Sequence, residues 1–238
     1  LPIEYITLKY HSMSDKQEIR KLTAILIADV RGYSRLMGED ASHTVRMLTR
    51  CREVFSDDIG RHGGRLVNAP GDSVLAEFLS VVDAVQCALE IQDHLYVENK
   101  PLPEDRKMFF RIGINLGEVI QRGDDIFGDG VNLAARVQTL ADGGGICVTG
   151  SVFDQIRNRM ENVEYLDIGT HRVKNISEPV RVYKVLTGRL SQAKLILCQY
   201  QSMRKSYLRK LPPLPCYPLT IFRIIKSMAI LHVDSLKT

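Results

Sequence analysis

The chain has no tryptophan, and its 238 residues contain no run of eighteen uninterrupted apolar residues. Nothing in it therefore predicts a membrane-spanning helix. Its first residues, LPIEYITLKYHSMSDKQEIRK, lack the basic stretch followed by an apolar stretch that a secretory signal requires. Cysteine is sparse: the five, at 51, 87, 147, 198 and 216, are odd in number and show no C-x-x-C spacing. That excludes a disulfide framework and a zinc-ribbon site. Cys51, Cys87 and Cys147 fall within apolar periodic segments and read as buried free thiols, the pattern of a reducing, cytoplasmic compartment. The six histidines are scattered without metal-ligand spacing. No G-x-x-x-x-G-K-[ST] string occurs, which excludes a P-loop, and Gly143–Gly145 reads as a turn between a helix and a strand.

Acid is nearly missing from the end of the chain. Residues 188–238 hold nine Lys and Arg and one acid, Asp234, whereas residues 1–187 hold 23 Lys and Arg against 27 Asp and Glu. The net charge of +4 therefore belongs to the tail, and the main body has no electrostatic footprint for nucleic acid. The tail also gains Pro212, Pro213, Pro215 and Pro218, then LTIFRIIKSMAILHV, interrupted by Arg223 and Lys226. It reads as a poorly ordered, non-catalytic appendage, and any membrane contact is expected through it alone. At the other end, Met13 is a plausible true start. The expected organisation is an extension over 1–19, one folded domain over 20–187 and the tail over 188–238.

Within the domain, LTAILIADV (22–30) reads as a buried strand. Helical spacing of Val45, Leu48, Cys51, Phe55 and Ile59 predicts a helix from Asp40 to Ile59, ended by Gly60, Gly63 and Gly64. GRLVNAPGDSVLAEF (64–78) reads as a hairpin turning at Pro70-Gly71-Asp72. Ser80 and Asp83 open a long helix, MFFRIGINLGEVI (108–120) is a strand bent at Gly113 or Gly117, and 128–141 is a helix. GICVTG, SVFDQIRNR, VEYLDIG and VRVYKVL then read as strand, helix, strand, strand. The first half is thus β-α-β-β-α-β, the order of a ferredoxin-like α+β fold: an antiparallel sheet with the two helices on one face. The first strand then lies antiparallel between the third and the fourth, which sets Asp29 beside Asp72.

Two converging carboxylates repel unless a cation lies between them. Oxygen-ligated divalent metals fit that need and accompany phosphoryl and nucleotidyl transfer. Taken singly, Asp29 reads as a helix cap and Asp72 as a turn residue. Asn132 and Arg136, four apart, share a helix face, and singly they read as solvated surface.

In order and spacing, ADVRGYSRLMG (28–38), NAPGDSVLAEF (68–78), FRIGINLGEVI (110–120) and DDIFGDGVNLAARV (124–137) resemble class III nucleotidyl cyclase catalytic domains, the bacterial adenylate cyclases above all. The resemblance spans roughly residues 20–187. It implies that Asp29 and Asp72 bind two Mg2+ or Mn2+ ions per site. It also implies that the backbone of Val30, Arg31, Gly32 and Tyr33 receives the β- and γ-phosphates of ATP at a helix start. By the same resemblance Asn132 orients the ribose, Arg136 offsets charge developing on the α-phosphate, and Lys174 pairs with the terminal phosphates. The family's adenylate cyclases pair a Lys with an Asp at the base. Here the acid is Asp125, while Asn68 stands at the Lys position, an amide that both donates and accepts. The implied activity is ATP to 3′,5′-cyclic AMP and pyrophosphate in a head-to-tail homodimer with composite sites. The alternatives are a weak or inactive nucleotide-binding regulatory module with the same fold, and a guanylate cyclase. No GGDEF or GGEEF string occurs, so the related GGDEF-type cyclases are excluded.

Overall fold

The run LTAILIADV belongs to an inner strand of the sheet, and it is apolar but for Thr23 and Asp29 because helices cover both faces of that sheet. The computed structural model describes residues 18–172 and 179–186; Lys174, the N-terminal extension up to residue 17 and the tail lie outside them. Strand β1 (Ile19–Val30) pairs antiparallel with β3 (Ser73–Phe78) on one side and β4 (Phe110–Arg122) on the other. Ala24, Ile25 and Leu26 are fully buried in succession. β2 (Arg65–Asn68) extends the sheet beyond β3, β5 (Asp125–Phe127) folds back on β4, and β6 (Ile146–Thr149), β8 (Val180–Leu186) and β7 (Glu164–His171) follow beyond β4.

Helices α1 (Tyr33–Arg61) and α2 (Val81–Asn99) share one face, as the β-α-β-β-α-β order predicts. Leu26, Phe55, Ile91, Phe110, Ile112 and Ile114 form the main core there, with the Phe55 and Phe110 rings 4.9 Å apart. The short α4 (Gly150–Ile156) adds Val152 and Ile156 to it. Helix α3 (Asp129–Thr139) lies on the opposite face, where Ala134 packs with Ile25, Val119 and Ile126, and Val137 with Cys147 and Val182. The sheet is mixed: β4 and β6 run parallel, because α3 carries the chain across between them.

Local signals act as expected at several points. The Ser80 hydroxyl accepts the Asp83 N–H at 3.2 Å and caps α2. The Gly64 N–H closes α1 on the Ile59 carbonyl at 2.9 Å. Cys51, Cys87 and Cys147 are buried free thiols. Helix α1 departs from its predicted start at Asp40: it begins at Tyr33, and Asp40 sits at a kink (φ −158°, ψ 92°) between two helical pieces. The Asp40 carboxylate caps the second piece through the His43 N–H at 2.9 Å and takes Arg106 at 2.9 Å. Helical periodicity reads only the longer piece, since seven residues carry too few apolar positions to show a face. Gly113 and Gly117 serve contact with α3: a Cβ on Gly113 would fall 2.3 Å from the Gln138 nitrogen, and one on Gly117 3.0 Å from the Gly130 Cα.

Candidate active site

Asp29 is the penultimate residue of β1, opposite Ser73, and Asp72 is the last turn residue before β3. The turn is built by Pro70, whose carbonyl accepts the Ser73 N–H at 3.0 Å, and by Gly71 at φ +57°, a conformation glycine adopts without strain. The antiparallel register thus brings the two carboxyls side by side, as read from the sequence. Burial first, then the hydrogen bond and charge of Asp72, push the Asp29 carboxyl up to about 6 from its ordinary 3.8, and Arg111 pulls the other way.

Arg111 is the site residue that the sequence reading passed over. It stands directly across from Asp29 on β4, and its Nη2 reaches Asp29 Oδ2 at 3.2 Å. Its Nε is buried without a partner. The signal existed in the register: once β1 pairs antiparallel with β4, the Arg of FRIGINLGEVI lies opposite the Asp of LIADV.

The turn at residues 30–33 leads straight into α1, with Gly32 (φ +72°) as its cap. The Arg31 N–H is committed to the Phe109 carbonyl at 2.8 Å. The N–H groups open to an anion are therefore those of the first helical turn from Gly32 onward.

Asn132 and Arg136 are exposed one turn apart on α3, while Ala134, Val137 and Gln138 face inward. Among the described residues neither side chain has a hydrogen-bond or ion-pair partner. Asp125 is exposed on β5, opposite Arg122, at the far end of β4 from Arg111 and Asp29. β5 lies beside β2, the strand of Asn68, where Arg65 Nη1 donates to the Asp124 carbonyl at 2.6 Å. One chain therefore groups Asp29, Asp72 and Arg111 at one end of β4 and places Asp125 at the other, while the register through β3 and β1 sets Asn68 level with Gly113. Lys174 lies outside the described residues.

The carboxylate pair suits a hard divalent cation. Two carboxylates held side by side repel when both are ionised, and a divalent cation between their oxygens offsets that repulsion. Among the described residues no group of three or more His, Cys, Asp or Glu converges. A cation here would complete its shell with water or phosphate oxygens, the habit of Mg2+.

Comparison with known proteins gives the family and the fold. A Rhizobium meliloti protein named "Putative adenylate cyclase 3" is 43% identical over 166 residues, covering 69% of this chain and 28% of that protein. A Streptomyces coelicolor adenylate cyclase is 31% identical over 147 residues, covering 61% of this chain and 37% of its own length. The chain thus spans well under half of these relatives. The crystal structure of an adenylate/guanylate cyclase/hydrolase from Silicibacter pomeroyi superposes with a TM-score of 0.66 at 38% identity, over 71% of this chain and 98% of that one. The adenylyl cyclase CyaB of P. aeruginosa shares the fold at 24% identity and a TM-score of 0.65, over 72% and 97%. Residues 15–187 match the family described as adenylate and guanylate cyclase catalytic domain, and the chain belongs to that family.

Proposed function

We propose that this chain converts ATP to 3′,5′-cyclic AMP and pyrophosphate as a head-to-tail homodimer, with residues 20–187 as the catalytic unit. The observation that carries the reading is the division of the site residues within one chain. Asp29, Asp72 and Arg111 gather at one end of β4, and Asp125 stands at the other. Asn132 and Arg136, exposed and without a side-chain partner among the described residues, point away from the sheet that carries the carboxylates. Two copies related by a twofold axis would join each cation half to the partner's nucleotide half and build two equal sites. The adenylate cyclase names among the relatives support ATP as substrate.

Asp29 and Asp72 would hold Mg2+ or Mn2+, two ions per site. When bound, the ions would lower the pKa of the ribose 3′-hydroxyl and offset triphosphate charge. The chain's own residues do the rest. The first-turn N–H groups of α1 cradle the β- and γ-phosphates. Arg111 limits the repulsion between the two carboxylates. Asn132 holds the ribose so that its 3′-oxygen faces the α-phosphorus. Arg136 steadies charge as that P–O bond forms and the bond to pyrophosphate breaks, and Lys174 meets the departing phosphates. Asp125 accepts from the adenine amino group and repels guanine O6, while Asn68 donates to N1.

Asn68 in place of Lys favours a second reading, a nucleotide-binding regulatory module with negligible turnover. Incubating the purified chain with Mn2+ and either ATP or GTP, then separating the products by chromatography, decides between them. Cyclic AMP in excess over cyclic GMP, lost in Asp29→Asn, is expected. No cyclic nucleotide at all leaves the module, and a predominance of cyclic GMP makes the chain a guanylate cyclase.

A further inference from the structure

Arg52, on the α1 face that meets the β2–β3 hairpin, has no part in the function above. Its Nη2 donates to the Ala69 carbonyl at 2.7 Å and also to the Gly71 carbonyl. Its Nε is buried without a partner, and no carboxylate pairs with it among the described residues. The Ala69 and Gly71 carbonyls bracket Pro70, whose own carbonyl is taken by the Ser73 N–H. Three successive carbonyls of one turn are therefore engaged, two of them by a single cation whose charge-assisted hydrogen bonds are about twice as strong as neutral ones. Asp72 is the next residue.

We propose that Arg52 is a positioning residue for the divalent-cation site: it clamps the 69–71 turn so that Asp72 meets Asp29, without itself touching cation or nucleotide. This rests on the reading of Asp29 and Asp72 as the cation ligands. Arg111 and Arg52 then divide the work. Arg111 offsets charge by contact with Asp29, and Arg52 fixes geometry from behind the turn. Lysine is the weaker substitute, because its side chain is shorter and its ammonium, more strongly hydrated than a guanidinium, costs more to hold between two carbonyls.

The test is Mn2+ binding, followed by electron paramagnetic resonance on the full chain, for the parent, Asp72→Asn, Arg52→Lys and Arg52→Gln. Melting temperature is measured on each. The parent is expected to bind Mn2+ in a manner lost with Asp72→Asn. The Arg52 variants should bind about 10- to 100-fold more weakly while still folded at the assay temperature. Raising Mn2+ should restore their cyclisation rate, so that the metal requirement rises while the saturated rate holds. Arg52 variants that bind Mn2+ as tightly as the parent overturn the positioning role and leave the ligand assignment standing. Weakening that follows only the unfolded fraction overturns it as well. A parent without Asp72-dependent binding removes the ligand assignment, and this proposal with it.

Discussion

At the scale of single residues, Asn68 bears on the proposed base selectivity and Glu77 on stability. Asn68 offers an uncharged, shorter donor on β2, exposed, beside the strand of Asp125. Asn68→Lys should raise the rate with ATP relative to GTP, because a cation donates more strongly toward adenine N1 and pays a larger penalty against the guanine N1–H. Parallel assays with both nucleotides check this, and a shift toward GTP would take residue 68 out of the base pocket. Glu77 is almost fully buried, and its Oε1 accepts Lys21 Nζ and Arg65 Nε, each at 2.8 Å. Burial alone would raise its carboxyl, but the two hydrogen bonds and their charges outweigh it and hold the group below its ordinary 4.5. A carboxylate depressed in the folded state stabilises above the unfolded value, and that contribution is lost as pH falls through the folded one. Glu77→Gln should therefore cost about 2 kcal/mol near neutrality, with the gap to the parent closing as pH falls below the ordinary Glu value. Urea unfolding at a series of pH values measures it, and a gap that stays constant in acid would contradict the ion-pair account.

At the scale of elements, α3 carries Asn132 and Arg136, the residues proposed to meet the nucleotide, and glycine sets its distance from the sheet. A Cβ on Gly113 would meet the backbone of α3 at 2.3 Å from the Gln138 nitrogen and 2.5 Å from the Ala134 carbonyl oxygen, atoms that cannot turn aside. Gly113→Ala should displace α3, cost about 1–3 kcal/mol or more, and lower the cyclisation rate by moving Asn132 and Arg136. Mn2+ binding at Asp29 and Asp72 should survive in the folded fraction, since neither carboxylate stands on α3. Equal losses of metal binding and rate would show that the two halves are not independent. Helix α1 contributes twice: its first turn follows directly on the strand end of Asp29, and its body supplies Phe55 to the core.

For the whole molecule, the decisive question is whether two chains share each site. Asp72→Asn disables a cation half and Arg136→Ala a nucleotide half, so each homodimer should be nearly inactive. After subunit exchange, a mixed dimer carries one site with both defects and one with neither. Mixing the two proteins should then return a substantial part of the parent activity. A tag pull-down verifies exchange. Exchange without regained activity, or activity from a verified monomer, would rule out the shared site.

The sequence by itself determined what depends on neighbours along the chain. Apolar runs, the Ser80 cap, the Pro70-Gly71 turn and the β-α-β-β-α-β order are local signals, and that order alone set Asp29 beside Asp72. The exposed pair Asn132 and Arg136 was equally legible, because four residues make one helical turn. Only the tertiary structure decided Arg111, whose role depends on β1–β4 register, and the place of α3 on the second face. It also decided the parallel β4–β6 pair, the kink at Asp40, the three-residue β5 and the approach of β2 to β5. These are contacts between segments far apart in sequence. They are selected by the packing of both sheet faces at once, and strands of three or four residues, like a seven-residue helical piece, are too short for their periodicity to announce them.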